Sequence, residues 1–495
     1  MLCAVFFVQL PLLSATAAQI ANEPLTDSDI AWAVETDLIT DPMVSAHLID
    51  VKSNDGVVTL SGSVDNLLSK ERAVKIAKSI RGVRAVVNQV QVKPVSRKDR
   101  DIARDIELAW LRDPATESYE LDVKVKDGIA TLTGQVQSWQ EKQLAEQVAK
   151  GVRGLKGVNN EVTWEWTEGR LDSEIQAEIE RRLESDIWVH HGLITTEVKD
   201  GKVTLRGSVG SITEKNYAET DAWVAGVKEV DGSELTINPW LDDEDRRSSR
   251  LSPLKTDQEI AKAVEDAFLY DPRLLSFKPT VEVEKGVVTL TGVVENLQAK
   301  IAAEQDAKNT LGVRRVENRL KVRLLSPPAD EEIAKSIRAA LTASPFVNRL
   351  EITVRVQNQK AYLSGLADSL FEKKRAGDLA AAVKGVVDVE NNLIVRHYGQ
   401  MAPHSYTYHY YYPYSEGLLD QSPEAELQIK QDVESQLFWS PFVDSEEIIV
   451  TVEDGMVTLS GMVDSMLERA EAIDNAYQAG ALFVKDELEL KENAS

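Results

Sequence analysis

The chain has 495 residues, with 56 Lys and Arg against 81 Asp and Glu, a net charge of −25. That length exceeds what one hydrophobic core supports. The acidic balance argues against a nucleic-acid partner, whose binding depends on neutralising phosphates.

In chain order, residues 1–18 read as a secretory signal: Leu2 to Leu13 is apolar and Ser14-Ala-Thr-Ala-Ala18 offers small residues for cleavage. No Lys or Arg precedes the apolar stretch, which departs from the usual pattern, and the alternative is a buried first helix. Cys3, the single cysteine, lies inside this segment and is not placed like a lipoprotein cysteine. Its removal would leave a mature chain without disulfides or thiol chemistry. No other stretch approaches 18 consecutive apolar residues, so no transmembrane segment is expected in the mature chain.

Thr26 to Asp29 resembles a capping box and predicts a helix start. Ile30, Ala33, Val34 and Leu38 form one apolar face, and Pro42 helps to stop the helix. Leu48-Ile-Asp-Val-Lys alternates as a half-buried strand, Asn54-Asp55-Gly56 supplies a turn, and Val57 to Leu60 is the return strand, ended by Gly62. Ala73, Ile76, Ala77 and Ile80 mark a second helix, Gly82 stands where a C-cap glycine is favoured, and Val86 to Val92 is a third strand. The unit reads helix, strand, strand, helix, strand.

This unit recurs. Gly56-Val-Val-Thr-Leu-Ser-Gly62 returns as Gly128 to Gly134, Gly201 to Gly207, Gly286 to Gly292 and Gly455 to Gly461, with a worn copy from Gln359 to Gly365. The steps between copies are 72, 73, 85, 73 and 96 residues. A second marker, Gly82-Val83-x-x-Val86-x-Asn88, follows at nearly constant distance and recurs from Gly154, Gly312 and Gly385. At Gly226 and Gly480 it recurs without the Asn. These two markers resemble those of the BON domain (bacterial OsmY and nodulation). The resemblance implies an α+β fold: a tandem array of six αββαβ modules, each a three-stranded mixed sheet packed on two helices. It also implies a bacterial envelope protein linked to osmotic stress, outer-membrane integrity and phospholipid binding.

The expected units are 26–93, 99–166, 172–237, 256–324, 329–396 and 423–491, with a polar linker at 238–255 and an insertion at 397–422. The connectors between units are short, so a stiff or curved array is expected in which isolated units are less stable than adjacent pairs. Unit six is strongly acidic, with 17 acids against four bases from Pro423 to Ser495, and could dock a basic partner. The insertion carries seven of the twelve tyrosines, among them Tyr408, Tyr410, Tyr411, Tyr412 and Tyr414. They are candidates for surface contact with a membrane interface, and the plainer alternative is a loose linker.

Lys70, Arg72, Lys75 and Lys78 on the second helix of unit one form a basic cluster, most simply a solvated outer face. His404 and His409 lack the companions of a tetrahedral metal site, and His190-His191 would diverge. No Gly-x-Ser-x-Gly elbow or phosphate-cradling loop is present, and the glycines of each phrase bracket a strand. The shared Gly, Val, Leu and Asn build a fold, and no acid, base or nucleophile is expected to recur in all six units. No catalytic, cofactor or metal residue is therefore assigned. The expected function is non-enzymatic: multivalent association with phospholipid or membrane surface in the periplasm or envelope. The alternatives are a periplasmic chaperone for unfolded clients and a scaffold for envelope proteins.

Overall fold

The computed structural model describes residues 25–41, 43–44, 48–164, 169–238, 255–324, 326–395, 423–453, 456–481 and 483–491. The signal, Pro42, most of the polar linker and the Tyr-rich insertion lie outside these residues. Unit one shows how the sequence builds each module. Thr26 N–H donates to Asp29 Oδ2 (2.8 Å) and Asp29 N–H to Thr26 Oγ1 (3.3 Å), which caps helix Asp27–Thr40. Its Ile30, Ala33, Val34 and Leu38 are all buried. Strands Ile49–Asn54 and Val57–Val64 then form a hairpin, with Asp55 (φ 51°) and Gly56 (φ 69°) both left-handed in the turn.

Strand Val57–Val64 is central: it is antiparallel to Ile49–Asn54 and parallel to Ala85–Val92. A parallel neighbour requires a crossover, supplied by helix Leu67–Lys78. Val51, Val58, Leu60 and Val90 point to the helices and are buried, while Lys52, Gln89 and Gln91 stay exposed on the open face. The same three-stranded order recurs along the chain, and unit four splits its central strand at Gly292 into Val287–Thr291 and Val293–Val294.

Two expectations about glycines need correction. Gly62 does not end the return strand, which continues to Val64 against Gln91 and Val92. It lies where the first strand crosses closest: at φ 119°, an added Cβ would sit 1.9 Å from Leu48 O. Gly82 is not the helix cap either, because the helix stops at Lys78 and Ser79 N–H takes the last carbonyls. Gly82 instead sits in the following turn at φ 90°, pressed on Ile30 Cδ1 of the first helix.

The modules do not form an extended array. The residue before the second-marker glycine donates its N–H to the carbonyl just before the first-helix cap of another module. Arg81 donates to Trp439 (3.0 Å), Arg153 to Ala343 (3.0 Å), Lys384 to Arg112 (3.2 Å) and Leu311 to Ser185 (2.8 Å). Unit one thus pairs with six, two with five, and three with four. Within the first half, Lys150 Nζ meets Glu71 Oε1 at 2.6 Å, Gln140 Nε2 meets Trp223 O at 2.5 Å, and Thr213 Oγ1 meets Lys78 O at 3.2 Å. Units one, two and three therefore close a ring, and the second half is laid against it. The physical cause is that helix C-terminal carbonyls have no intrahelical partner, and a loop N–H of another module satisfies one of them.

Candidate site: repeated carboxylates and the clefts between modules

An acid does recur, contrary to expectation. The first helices of units one to five begin with Asp27, Asp99, Asp172, Asp257 and Asp330. Each carboxylate accepts both N–H groups of its own hairpin turn, as in Asp27 with Asp55 (2.8 Å) and Gly56 (3.0 Å). Asp330 does the same with Asn358 (2.8 Å) and Gln359 (2.9 Å), although Gln replaces the turn glycine there. In unit six the sequence places Glu426 at the same distance before Ile429. Hydrogen bonds from Ser53 and the turn hold the Asp27 carboxyl below its usual range. These acids clamp turn to helix; their lone pairs are committed to structure. The signal was legible as an acid three residues before the first buried Ile of each helix.

A second acid recurs inside four modules. Glu214 accepts from His190 N–H (2.8 Å) and Gly210 N–H (2.7 Å), and lies 2.9 Å from His190 Nδ1. Burial pushes its carboxyl up, but these bonds and the His190 ring outweigh it and hold the group below its usual range. Glu372 and Glu468 tie the equivalent loops, at 2.6 Å to Asn348 N–H and 2.7 Å to Asp444 N–H, and Glu141 binds Gln137 N–H at 2.6 Å. The pair His190–Glu214 is a buried loop tie.

The basic helix face of unit one is only in part a solvated outer face: Lys75 is exposed, while Arg72 Nε bonds Asp41 Oδ2 at 2.7 Å, Lys78 O receives Thr213 of unit three, and Glu471 and Asp474 of unit six act on Lys75 through space. On the opposite side of this contact, Gln436 Nε2 donates to Asp37 Oδ1 at 2.5 Å. Burial, opposed by Gln436 and Arg72, raises the Asp37 carboxyl to about 6; burial and then Asp474 raise Glu471 to about 7. Raised carboxyl pKa values mean that their stabilising contribution is complete below the ordinary range near pH 4 and is lost as pH rises through 6 and 7. The one–six contact is therefore expected to be firmer at pH 5 than at pH 8, by about 2 kcal/mol after allowance for partial solvation. Hydrogen exchange at the Arg81 amide measures it. An unchanged pH response in Asp37→Asn/Glu471→Gln would show that other groups carry it.

Two large clefts open between modules. One, of about 1140 Å³, lies where units two, three and four meet. Trp139 and Trp164 line it; Trp139 stacks on Trp223 of unit three at 5.1 Å and 2°, and Trp164 stands edge-on to Trp223 at 5.7 Å. Its cations are engaged: Lys142 lies 4.9 Å over Trp164, and Arg170 donates to Ala225 O at 2.9 Å and pairs with Glu178. The other, of about 1210 Å³, is lined from units one, two, four, five and six. Gln298 Oε1 on its wall is buried without a donor among the described residues.

Of the residues expected to matter, the described marker glycines sit at turns and close backbone approaches, where the turn glycine meets the second-marker carbonyl of its own unit: a Cβ on Gly56 would lie 2.8 Å from Gly82 O, and one on Gly201 2.9 Å from Gly226 O. Tyr408, Tyr410, Tyr411, Tyr412 and Tyr414, with His404 and His409, lie outside the described residues. The clefts had no signal in the sequence, since their walls come from modules far apart in the chain. No helix among the described residues is long and apolar enough to cross a membrane.

Repeated αββαβ modules, side chains committed to holding them, and clefts only between them define a modular, tandem-repeat α+β protein. The chain belongs to the BON domain family, which matches residues 26–94, 98–165, 171–239, 256–323, 329–397 and 425–492. It is 32% identical over 145 residues to osmotically-inducible protein Y of Escherichia coli (strain K12), covering 28% of this chain and 72% of that protein. It is 27% identical over 156 residues to outer membrane lipoprotein DolP of Haemophilus influenzae, covering 29% of this chain and 80% of that one.

Proposed function

We propose that this chain is a non-enzymatic envelope protein that associates with membrane surface through several weak contacts, in envelope integrity or osmotic stress. The names of the relatives support the setting, and one surface feature supports the contact. Trp32 and Ile39, seven residues apart on one face of helix Asp27–Thr40, are 56% and 72% exposed. Leu427, also exposed, lies on helix Pro423–Trp439, which the Asp37–Gln436 bond joins to the first. Trp is suited to the headgroup level of a bilayer, and Ile adds apolar area.

The net charge of −25 opposes attraction to anionic lipid, so the contact is apolar in this reading. Linked modules raise avidity only where geometry lets them engage together. A cluster of modules presents one side at a time to a plane, so fewer than six would act at once. Co-sedimentation with zwitterionic and anionic vesicles across a salt series tests this. Binding is expected to be insensitive to salt and to fall about fivefold or more in Trp32→Ser/Ile39→Ser, which removes roughly 1–3 kcal/mol of apolar contact. No binding of the wild-type chain to either vesicle would overturn the proposal.

A further inference from the structure

Units three and four meet where four carboxyls lie among two guanidiniums. The frame is main chain: Leu311 N–H donates to Ser185 O at 2.8 Å and Ile187 N–H to Asn309 O at 3.1 Å, with Asp186 bridged to Thr310. Beside these bonds the carboxyl of Asp186 lies against that of Asp221 in unit three, and Asp306 against Asp271 in unit four. Arg182 Nη2 bonds Asp221 Oδ1 at 2.6 Å, and Arg273 Nε bonds both oxygens of Asp271, at 2.8 and 3.0 Å. Asp186 and Asp306 have no cation bonded to them: Arg182 acts on both, and Arg273 on Asp306, only through space.

The sequence sets this contact apart from the other pairings. Asp221 and Asp306 each stand ten residues after the cap of the second helix, Ser211 and Asn296. At that position the other units carry Ile76, Val148, Leu379 and Asn475. The two units with an acid there are the two that face each other.

Asp221 and Asp271 are each 7% exposed, so water screens the pairs poorly. Asp221 Oδ2 and Asp306 Oδ2 are buried and take no donor from a described residue. Two ionised carboxylates only repel, whereas a carboxyl that keeps its proton donates to its neighbour. A proton on Asp186 supplies a donor to Asp221, and one on Asp306 a donor to Asp271. Asp221 and Asp271 then balance Arg182 and Arg273 one for one. Burial, and then the adjacent carboxyl, pushes Asp186 and Asp306 well above the usual carboxylate range. The further ionisable groups around the pairs add no cation: they are Tyr217 and Tyr119, with the acids Asp113 and Glu471 acting on Arg273 and Tyr217.

We propose that two shared protons, one in each carboxyl pair, latch unit three to unit four, so that this contact loosens as pH rises. The raised groups give the sign: their contribution is complete below the ordinary carboxyl range near about pH 4 and is lost as pH climbs through the raised range. Loss of both protons leaves two uncompensated negative charges in a buried contact. The latch thereby couples the seating of the second half on the ring of units one to three to the surrounding proton concentration. It uses groups separate from Asp37 and Glu471 and does not depend on membrane association.

Hydrogen exchange of the full chain from about pH 5 to about pH 9, expressed as protection over the free peptide, tests this at the Leu311 and Ile187 amides. Their protection is expected to fall about tenfold or more across the range. In Asp186→Asn/Asp306→Asn, whose side-chain amides donate as the protonated acids do, it should vary by less than about threefold and exceed the wild type at the alkaline end. Asp306→Asn alone should remove part of the response, which guards against a double variant that folds poorly. The Arg81 amide reports the one–six contact and should keep its own pH response in both variants. Wild-type protection at Leu311 and Ile187 that stays level with pH would overturn the proposal, as would an undiminished fall in either folded variant.

Discussion

Trp439→Ala is expected to destabilise unit one, although Trp439 belongs to unit six. Its indole is 5% exposed and is counted within the hydrophobic core of unit one, with Phe438 edge-on at 5.4 Å. Its carbonyl accepts Arg81 N–H, and the Arg81 guanidinium lies 5.6 Å over the Phe438 ring. Truncating a buried Trp removes its transfer energy and leaves a cavity, about 3–5 kcal/mol in all. Hydrogen exchange resolved by module reads the result: protection should fall in helix Asp27–Thr40 as well as in helix Pro423–Trp439. Trp32→Ala, at an exposed position, should cost within about 0.5 kcal/mol. A loss confined to unit six would mean that modules one and six do not share a core.

Gly62→Ala is expected to be among the most damaging single substitutions in the protein. A Cβ there would lie 1.9 Å from Leu48 O at φ 119°, so both the backbone of the neighbouring strand and the residue's own conformation oppose it. The strain and overlap together should cost about 3 kcal/mol or more. Gly134, Gly207, Gly365 and Gly461 face the same obstacle at 2.3, 2.0, 2.0 and 2.1 Å. Gly292 does not: its nearest atoms are 3.8 Å away, at Leu320 Cδ2 and Pro279 Cα, and only the φ of 125° opposes a side chain. Gly292→Ala should therefore cost about 1–2 kcal/mol. Urea unfolding of the two variants compares them directly, and equal losses would show that the carbonyl contact adds nothing to the backbone strain.

The module was legible because its signals are local. The helix stripe of Ile30, Ala33, Val34 and Leu38, the left-handed Asp55-Gly56 turn and the alternation of the strands each lie within a few residues. Gly62 and Gly82 were legible as invariants of the repeat but not in their tasks. What constrains Gly62 is the carbonyl of Leu48, and what presses on Gly82 is the side chain of Ile30, both set by packing. The recurring Asp of the first helix is visible in the sequence but its task is not, because its partners are backbone N–H groups 28 and 29 residues further on.

By itself the sequence determined six αββαβ modules, their order and their family, since period, turn chemistry and repeat spacing act over short distances. Only the tertiary structure decided that unit one meets six, two meets five and three meets four. It also decided that the helix carrying the basic cluster of unit one meets unit three at the Lys78 carbonyl. The physical reason is that the bond repeated in every pairing is made between main-chain groups, such as Arg81 N–H and Trp439 O, which every residue type supplies and no residue pattern reveals.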